Sequence, residues 1–325
     1  MSKSPLSLLE ICAGAGGQAL GLERAGFVPV GLVERNADAC ATLRANRPEW
    51  NVLEMDFLEF VARDHPYSYD VDLLAAGLPR VKSASTVKRA EDRYERELLK
   101  AAVWLASEVR PRALVVENVP GLAYASEFEE LRAFVHEHLQ HLGYRFSWFV
   151  LNAADFGVPQ TRKQAVLVAL QEEQFEAFRP PERTVRHHVS VGTALQQSMA
   201  ARGWRDADAW AAQATSVAPT LVGGSANRGG ADLGPSGTRR AWARMGVNSA
   251  SLADEVPGPD FRWQPECGPA GMVKLTVTQA AVLQGFPDDW QITGRKTSRY
   301  RQVGHASPPP VGEAVGAAVA RALRA

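Results

Sequence analysis

Short apolar runs alternate with amphipathic segments along the first half of the chain. The apolar runs have the length of β-strands, and the intervening segments repeat apolar residues every three or four positions, as helices do. The predicted strands are 6–12, 29–34, 51–55, 71–76 and 113–119, and the predicted helices are 17–25, 37–46, 95–109 and 128–142. This alternation predicts an α/β protein with a doubly wound, Rossmann-like sheet and helices on both faces.

The pattern changes in the second half of the chain. Residues 145–151 and 164–170 predict two closing strands, as an antiparallel pair. Regular spacing then fades over 171–273, which contains ten arginines and no lysine, and helical spacing returns at 277–283 and 311–323. We therefore predict a large domain over 1–170 and a smaller inserted domain over 171–273 that lies over a cleft. The segment 274–325 is expected to return to the large domain.

Composition narrows the class of protein without identifying it. The 325 residues carry a formal net charge of zero, so any surface for nucleic acid must be a local basic patch. Three cysteines, Cys12, Cys40 and Cys267, have no paired spacing, which predicts neither a disulfide framework nor a metal site. We expect a cytoplasmic protein, because the sequence has neither an apolar run of membrane-spanning length nor a signal-peptide pattern.

The first predicted strand runs into a glycine-rich turn that opens a helix. Such turns bring the backbone close to a ligand, but dinucleotides, adenosylmethionine and simple tight packing all use them. Glu34 ends the second predicted strand, where a carboxylate can hold the hydroxyls of a ribose, and Asp56-Phe57 follows the third with an acid and a ring for an adenine. Because these features stand at successive strand ends, we predict a nucleoside cofactor rather than solvated strand-end acids.

Several motifs in order resemble those of DNA cytosine-C5 methyltransferases, over about residues 6 to 323. Each motif alone is modest, but the ordered set is specific. The motifs are Ala13-Gly14-Ala15-Gly16-Gly17, Glu117-Asn118-Val119, the run 151–160 with Thr161-Arg162, the run from Leu275-Thr276 to Gln284-Gly285-Phe286-Pro287, and Gly304-His305-Ala306-Ser307 continuing to Val311.

The resemblance implies S-adenosyl-L-methionine, or its product S-adenosyl-L-homocysteine, as cofactor and a base flipped from double-stranded DNA as substrate. In that chemistry a thiolate adds to C6 of cytosine, a glutamate contacts N3 and the exocyclic amine, and an arginine contacts O2. Glu117, with Asn118, and Arg162 match these last two roles. The implied cofactor contacts are Cys12, Ala13, Gly14, Gly16, Gly17, Glu34, Asp56, Phe57, Pro79, Leu98, His305 and Ala306.

The departures from the family pattern cluster around the chemistry. The family's Pro-Cys-Gln reads Pro79-Arg80-Val81, so a guanidinium stands where the nucleophilic thiol is expected. A guanidinium stays protonated and has no free lone pair, so it cannot form a covalent bond to a base. The segment after Val81 lacks the family's aromatic-serine pair. Gln164 stands where the motif that begins at Gln160 has its second arginine, and His305 stands where the last motif usually has an asparagine.

The inserted region 171–273 stands where the family has its target-recognition domain. Thr220-Leu221 resembles the Thr-Leu pair found there, and arginines suit guanine edges and phosphates. We predict DNA contacts from Thr220, Leu221, Arg228, Arg239, Arg240 and, in the basic segment 80–96, Lys82. Solvated or ion-paired side chains are the alternative for each of these arginines and for that segment, which also carries acids.

Three functions remain open from the sequence. The first is a DNA-binding or regulatory homologue without C5 chemistry, associated with a restriction or defence system and a protein partner from it. The second is an enzyme with altered chemistry on a flipped base or nucleotide that uses Glu117 as acid or base. The third is an active methyltransferase whose nucleophile comes from elsewhere, such as a partner subunit, and Arg80 counts against it. Neither the recognised DNA sequence nor the oligomeric state follows from these patterns.

Overall fold

The computed structural model describes residues 5–81, 91–223, 231–234 and 236–325, with the backbone alone at 91–93. Contacts along the chain divide it into two compact units. The first unit contains Met1–Leu151, Lys163–Glu182 and Val311–Ala325, and the second contains Asn152–Arg162 and Arg183–Pro310. Each unit is described separately below.

A seven-stranded sheet forms the centre of the first unit, in the order β3-β2-β1-β4-β5-β7-β6. Neighbouring strands among β1 to β5 are parallel, and β7 runs antiparallel to β5. This arrangement confirms the expected α/β class. The strands are β1 Leu6–Ile11, β2 Phe27–Glu34, β3 Val52–Glu54, β4 Leu73–Gly77, β5 Ala113–Asn118, β6 Tyr144–Asn152 and β7 Lys163–Gln171.

Helices cover the sheet and build most of the second unit. They are α1 Gly17–Arg24, α2 Ala37–Asn46, α3 Glu91–Val109, α4 Glu129–His141, α5 Glu172–Ala177, α6 Val191–Ala200, α7 Ala207–Gln213, α8 Arg239–Arg244, α9 Val277–Leu283, α10 Lys296–His305 and α11 Pro309–Leu323. Leu9 and Ile11 of β1 share a buried apolar cluster with Leu99 and Val103 of α3. Burial of such side chains stabilises the sheet by about 1.5–3 kcal/mol each.

The C-terminal helix α11 packs on α1 through glycines. A Cβ atom at Gly312 would lie 3.1 Å from the carbonyl oxygen of Gln18, and one at Gly316 would lie 2.8 Å from Cβ of Ala25. A larger side chain at either position would require the neighbouring atoms of α1 to shift. The packing of α11 against α1 therefore favours glycine at both positions.

The second unit is more helical than the sequence predicts and has different limits. Helix α6 begins where Ser190 accepts a hydrogen bond from Thr193 N–H, and α9 begins in a capping box formed by Thr276 and Gln279. Helix α9 packs against α6 and α10, and Ala253 N–H donates to Leu275 O at 2.9 Å. Residues 274–310 thus belong to the second unit, and residues 171–182 belong to the first, which differs from the predicted boundaries at 170 and 273.

Candidate functional site

The carboxyl ends of β1, β2, β4 and β5 lie along one edge of the sheet, and β3 ends at the same edge. The strand order reverses between β1 and β4, because β2 and β3 lie on one side and β4 and β5 on the other. A crevice at such a reversal is where open α/β sheets bind ligands. Four residues predicted from the sequence stand at this edge, namely Gly14, Glu34, Asp56 and Glu117.

The turn after β1 is held by the carboxylate of Glu34. Gly14 N–H donates to Oε2 of Glu34 at 2.8 Å, and Asn36 N–H donates to Oε1 at 2.7 Å. The turn bends through left-handed backbone at Cys12, Gly14 and Gly16, and no atom lies within 4 Å of a Cβ placed on Gly14. Open space therefore borders the turn there, and Ala13 and Gly17 complete it as α1 begins. Two backbone donors leave Glu34 with further acceptor capacity for hydroxyl groups.

Unpartnered acceptors lie beside this turn. The Oε1 atom of Gln18 and both carboxyl oxygens of Glu10 are buried and have no hydrogen-bond partner in the described part of the chain. Burial raises the pKa of Glu10 well above its ordinary value, and the nearby Glu34 charge raises it further. Gln18 Oε1 lies 3.3 Å from a Cβ built on Gly77 at the end of β4. A cofactor with N–H donors fits this edge, because it would supply the missing partners.

Asp56 forms a network that the sequence did not indicate. Its Oδ2 accepts hydrogen bonds from Arg35 Nη1 at 3.1 Å and from Tyr94 Oη at 3.0 Å, and its Oδ1 accepts from Leu58 N–H at 3.1 Å. Burial alone would raise the pKa of Asp56, but these hydrogen bonds and the Arg35 charge lower it overall. Asp56 is therefore an ionised acceptor at neutral pH. Arg35 and Tyr94 lie 59 residues apart, so only the fold brings them together.

Three other predicted cofactor residues, Phe57, Leu98 and Pro79, have no contact among the described residues that points to a ligand. Phe57 and Leu98 belong to the main apolar cluster of the first unit. Pro79 is exposed and follows β4. Direct contacts of all three with a cofactor stay predictions.

The backbone on both sides of Arg80 is bonded to Asn118, which follows Glu117 on β5. Asn118 Oδ1 accepts hydrogen bonds from the N–H groups of Val81 and Val119, both at 2.9 Å, and its Nδ2 donates to Pro79 O at 3.3 Å. Gly77 is the register partner of Glu117 across β4 and β5. Within the described residues, the Glu117 carboxylate makes no hydrogen bond and is only 7% exposed, and Arg80 Nη2 is buried and unpartnered. Glu117 and Arg80 thus lie on neighbouring strand-end segments, and no ion pair joins them within the described residues.

Arg162 has a structural environment in the second unit. Its side chain is fully buried, and its Nη1 donates to Leu221 O at 3.0 Å and to Gly304 O at 3.1 Å. Its guanidinium thus joins two backbone segments through Nη1. A contact of Arg162 with a base stays a prediction.

Two buried glutamines extend the same connection. Gln160 accepts from Leu221 N–H at 2.7 Å and donates to Oε1 of Gln284 at 2.6 Å, and Gln284 donates to Ala306 O. Thr220 donates to Thr161 O at 2.6 Å. The predicted DNA residues Thr220-Leu221 are therefore held inside the unit, and Leu221 is fully buried.

The predicted cofactor pair His305-Ala306 is held by the same glutamines. Ala306 is nearly buried, whereas His305 is exposed and its ring lies against Gly223, where a Cβ would come within 2.7 Å of Cδ2. One buried polar network therefore joins the predicted DNA-contact segment to the predicted cofactor segment. Their contacts with either ligand stay predictions.

Of the four remaining residues predicted to contact DNA, two are exposed on a helix of the second unit and two lie outside the described residues. Arg239 and Arg240 are exposed on α8, and neither forms an ion pair with another described residue. Arg228 and Lys82 lie outside the described residues.

Across the described ranges, no group of three or more His, Cys, Asp or Glu side chains is arranged to hold a metal ion. None of the helices in those ranges is long and apolar enough to cross a bilayer.

Known proteins resemble this chain over nearly its whole length. The sequence profile of C-5 cytosine-specific DNA methylases matches residues 6–321. Type II methyltransferase M.NaeI of Lentzea aerocolonigenes is 45% identical over 319 residues, which are 98% of this chain and 75% of that protein. Type II methyltransferase M.NgoMIV of Neisseria gonorrhoeae is 43% identical over 320 residues, which are 97% of both chains.

A solved structure shares the fold at low sequence identity. The Entamoeba histolytica methyltransferase EhMeth superposes with a TM-score of 0.64 at 12% identity and covers 99% of this chain and 98% of its own. That likeness supports the fold alone, whereas the profile and the two relatives carry the family assignment. The chain belongs to the family of C-5 cytosine-specific DNA methylases, which use S-adenosyl-L-methionine and act on DNA.

Proposed function

We propose that this member of the family binds S-adenosyl-L-methionine and double-stranded DNA but does not methylate cytosine at C5 through a thiolate adduct. The observation that carries the proposal is Arg80, which follows Pro79 in the segment that resembles the family's Pro-Cys-Gln motif. Asn118 holds the backbone on both sides of Arg80, through Pro79 and Val81. In the proposal, Arg80 occupies the position from which the thiolate would react.

The chemistry explains why this single position decides the activity. C5 of cytosine is a weak nucleophile until a thiolate adds to C6 and turns the ring into an enamine. The enamine carbon then takes the methyl group, the C5 proton leaves to a base, and the thiolate departs as the ring regains its double bond. Arg80 has no lone pair to begin this sequence, and it stays protonated at any working pH.

No other described thiol offers a substitute. Burial raises the pKa of the Cys12 thiol strongly, and the charges of Glu34 and Asp56 raise it further, so this thiol stays protonated. Cys12 follows β1, which β4 separates from β5, so its backbone lies roughly 10 Å from that of Glu117. Burial raises the pKa of Cys40 to about 12, and Cys40 donates to the backbone of Glu34. Cys267 belongs to the second unit, where it is exposed.

The cofactor edge of the sheet retains what binding requires. S-adenosyl-L-methionine supplies an electrophilic methyl group on a sulfonium when it is bound. In the proposal, Glu34 orients the ribose hydroxyls, Asp56 accepts from the adenine amine, and Gln18 accepts from the amino-acid part. Glu117 would hold a flipped base by hydrogen bonds, without a developing ring charge to stabilise.

We place this protein in a restriction or defence system, because two relatives more than 40% identical to it are type II methyltransferases. A family member that reads DNA without modifying it would act there as a regulatory or recognition subunit with a protein partner. Arg239 and Arg240, exposed on α8 and without acidic partners among the described residues, are available to contact DNA phosphates.

Two measurements on one protein preparation test the proposal. Calorimetry should show S-adenosyl-L-methionine binding that weakens at least about tenfold, or about 1.4 kcal/mol, in Glu34→Ala. Mass spectrometry of mixed-sequence duplex oligonucleotides incubated with protein and cofactor should show no change in mass. Absence of cofactor binding at millimolar concentration would reject the cofactor site. A gain of one methyl group per strand would reject the loss of C5 chemistry, and a lost or altered base would favour a different reaction at Glu117.

A further inference from the structure

The carboxylate of Asp56 is held by three donors from three parts of the first unit. These are Leu58 N–H, the Arg35 guanidinium after β2 and the Tyr94 hydroxyl on α3. Three donors to one carboxylate fix its rotation, since turning it would break hydrogen bonds on both oxygens.

The hydrogen bonds have a defined direction. Arg35 Nη1 also donates to Tyr94 Oη, at 2.9 Å, and its guanidinium lies over the Tyr94 ring, 5.4 Å from the ring centroid. A guanidinium cannot accept a hydrogen bond. The Tyr94 hydroxyl must therefore accept from Arg35 and give its own hydrogen to Asp56. Arg35, Asp56 and Tyr94 form a closed triangle, which we call the Asp56 triad.

One acceptor position of Asp56 is left. An ionised carboxylate has about four lone-pair sites, and the three donors occupy three of them. Two of these donors share Oδ2, so the remaining capacity is on Oδ1, and the Asp56 side chain is 26% exposed. A ligand can therefore reach it. A group that donates a hydrogen bond is favoured there, and a group that presents a lone pair is repelled.

We propose that Tyr94 and Arg35 are positioning residues that hold Asp56 as a fixed acceptor and so make the cofactor site select adenosine, with its exocyclic amine, over a 6-oxo purine nucleoside. The inference rests on the proposed cofactor site and adds two residues that no motif contains. Neither residue touches the ligand in this account. Each acts by restricting the orientation of Asp56.

The selection has a physical basis in the difference between the two bases. Adenine presents an amine at position 6, which donates to a carboxylate. Hypoxanthine presents a carbonyl oxygen at the same position, which faces the carboxylate lone pair to lone pair. A rigid acceptor enforces this difference, whereas a carboxylate free to rotate can avoid the oxygen. Sites built to satisfy a specific hydrogen bond reject analogues that lack it more strongly than apolar pockets do.

The test compares two ligands on the full-length protein by calorimetry. S-adenosyl-L-homocysteine and S-inosyl-L-homocysteine differ only at the purine ring, so the ratio of their dissociation constants reports on base selection. We expect wild type to prefer the adenosyl ligand by at least about tenfold. Tyr94→Phe and Arg35→Met should each lower the preference for the adenosyl ligand by about three- to tenfold, mainly by weakening the binding of that ligand.

A matched control is available in the same unit. Tyr67 is a partly exposed tyrosine whose hydroxyl is bonded to His65 Nδ1 at 3.1 Å instead of to Asp56. Tyr67→Phe should leave the ratio unchanged. A general loss of stability would weaken both ligands together and keep the ratio, so the ratio separates positioning from a merely structural role.

Each outcome has a distinct meaning. If Tyr94→Phe and Arg35→Met both bind with the wild-type ratio, the positioning role is overturned and the cofactor site itself stands. If wild type binds both ligands equally, Asp56 does not select the base and the inference also fails. If wild type binds neither ligand at millimolar concentration, the proposed cofactor site fails first.

Discussion

The side-chain oxygen of Asn118 accepts a hydrogen bond from Val81 N–H at 2.9 Å, and this contact fixes the backbone just after Arg80 against β5. Asn118 is nearly fully buried and also bonds to Pro79 and Val119. The segment around Arg80 is therefore anchored to the end of β5 by three hydrogen bonds of one buried side chain.

Asn118→Asp should destabilise the first unit. The new side chain keeps both acceptor contacts, but it loses the donation to Pro79 O and sets a buried negative charge beside that carbonyl oxygen and near Glu117. We expect a loss of about 2 kcal/mol or more in the free energy of unfolding, measured by urea titration. Asn51→Asp is the control, since exposed Asn51 makes a comparable bond to Val30 O at 2.9 Å, and its loss should be much smaller. Equal losses in the two variants would argue against this role.

Gln284→Leu should destabilise the second unit and weaken DNA binding. The change leaves Ala306 O without its donor and removes one acceptor of Gln160, each buried. Unsatisfied groups of this kind cost about 1–3 kcal/mol each. Because Gln160 also holds Leu221, DNA affinity should fall by more than it does in Gln196→Leu, where an exposed glutamine loses only its bond to Asp208. A Gln284→Leu protein with wild-type stability would contradict this network.

The contacts of Gln160 and Gln284 are among those that the sequence did not predict. The sheet was predictable because β1 to β5 are apolar runs, and the edge with the candidate cofactor residues was predictable because Glu34 ends β2 and Asp56 follows β3. The hydrogen bond between Gln160 and Gln284 could not be predicted from the sequence, because more than a hundred residues separate them. The carbonyl partners of Arg162 also lie far along the chain, so the sequence did not predict those contacts.

Some helices of the second unit have apolar spacing in the sequence that was overlooked because the region is rich in glycine, proline and arginine. In α6, Val191, Leu195 and Met199 recur at helical spacing behind a Ser190 cap, and all three are buried. In α10, buried Tyr300 and Val303 lie among charged and polar residues, so the apolar face is too narrow for periodicity to detect. The contacts of Tyr94 and Arg35 with Asp56 have no pattern in sequence at all.

DNA affinity should depend on salt and on the exposed arginines of α8. Each phosphate contact releases counterions, so the logarithm of the association constant should fall linearly with the logarithm of salt concentration. Removing both Arg239 and Arg240 by alanine substitution should reduce the slope by about 2. Replacing Arg179 and Arg183, whose guanidinium groups donate to nearby backbone carbonyls, is the matched control and should change it less. Binding that is insensitive to salt would count against a phosphate-based interface.

The role of Arg80 can be examined by restoring the missing thiol. Arg80→Cys should give detectable but incomplete methyl transfer, because Val81 and the residues after it have also diverged from the family pattern. A nucleophile displaced by about 1 Å can lose on the order of a hundredfold in rate. Full recovery in this variant would mean that only the thiol had been lost, and no recovery would mean that the surrounding geometry had changed as well.

The most direct test of the central claim is tritium transfer from labelled S-adenosyl-L-methionine into unmethylated mixed-sequence DNA, followed by analysis of the nucleosides for 5-methylcytosine. Wild type and Arg80→Cys are assayed beside a type II methyltransferase as the positive control. The account predicts background incorporation for wild type and incorporation above background for Arg80→Cys. Robust formation of 5-methylcytosine by the wild-type protein would contradict it.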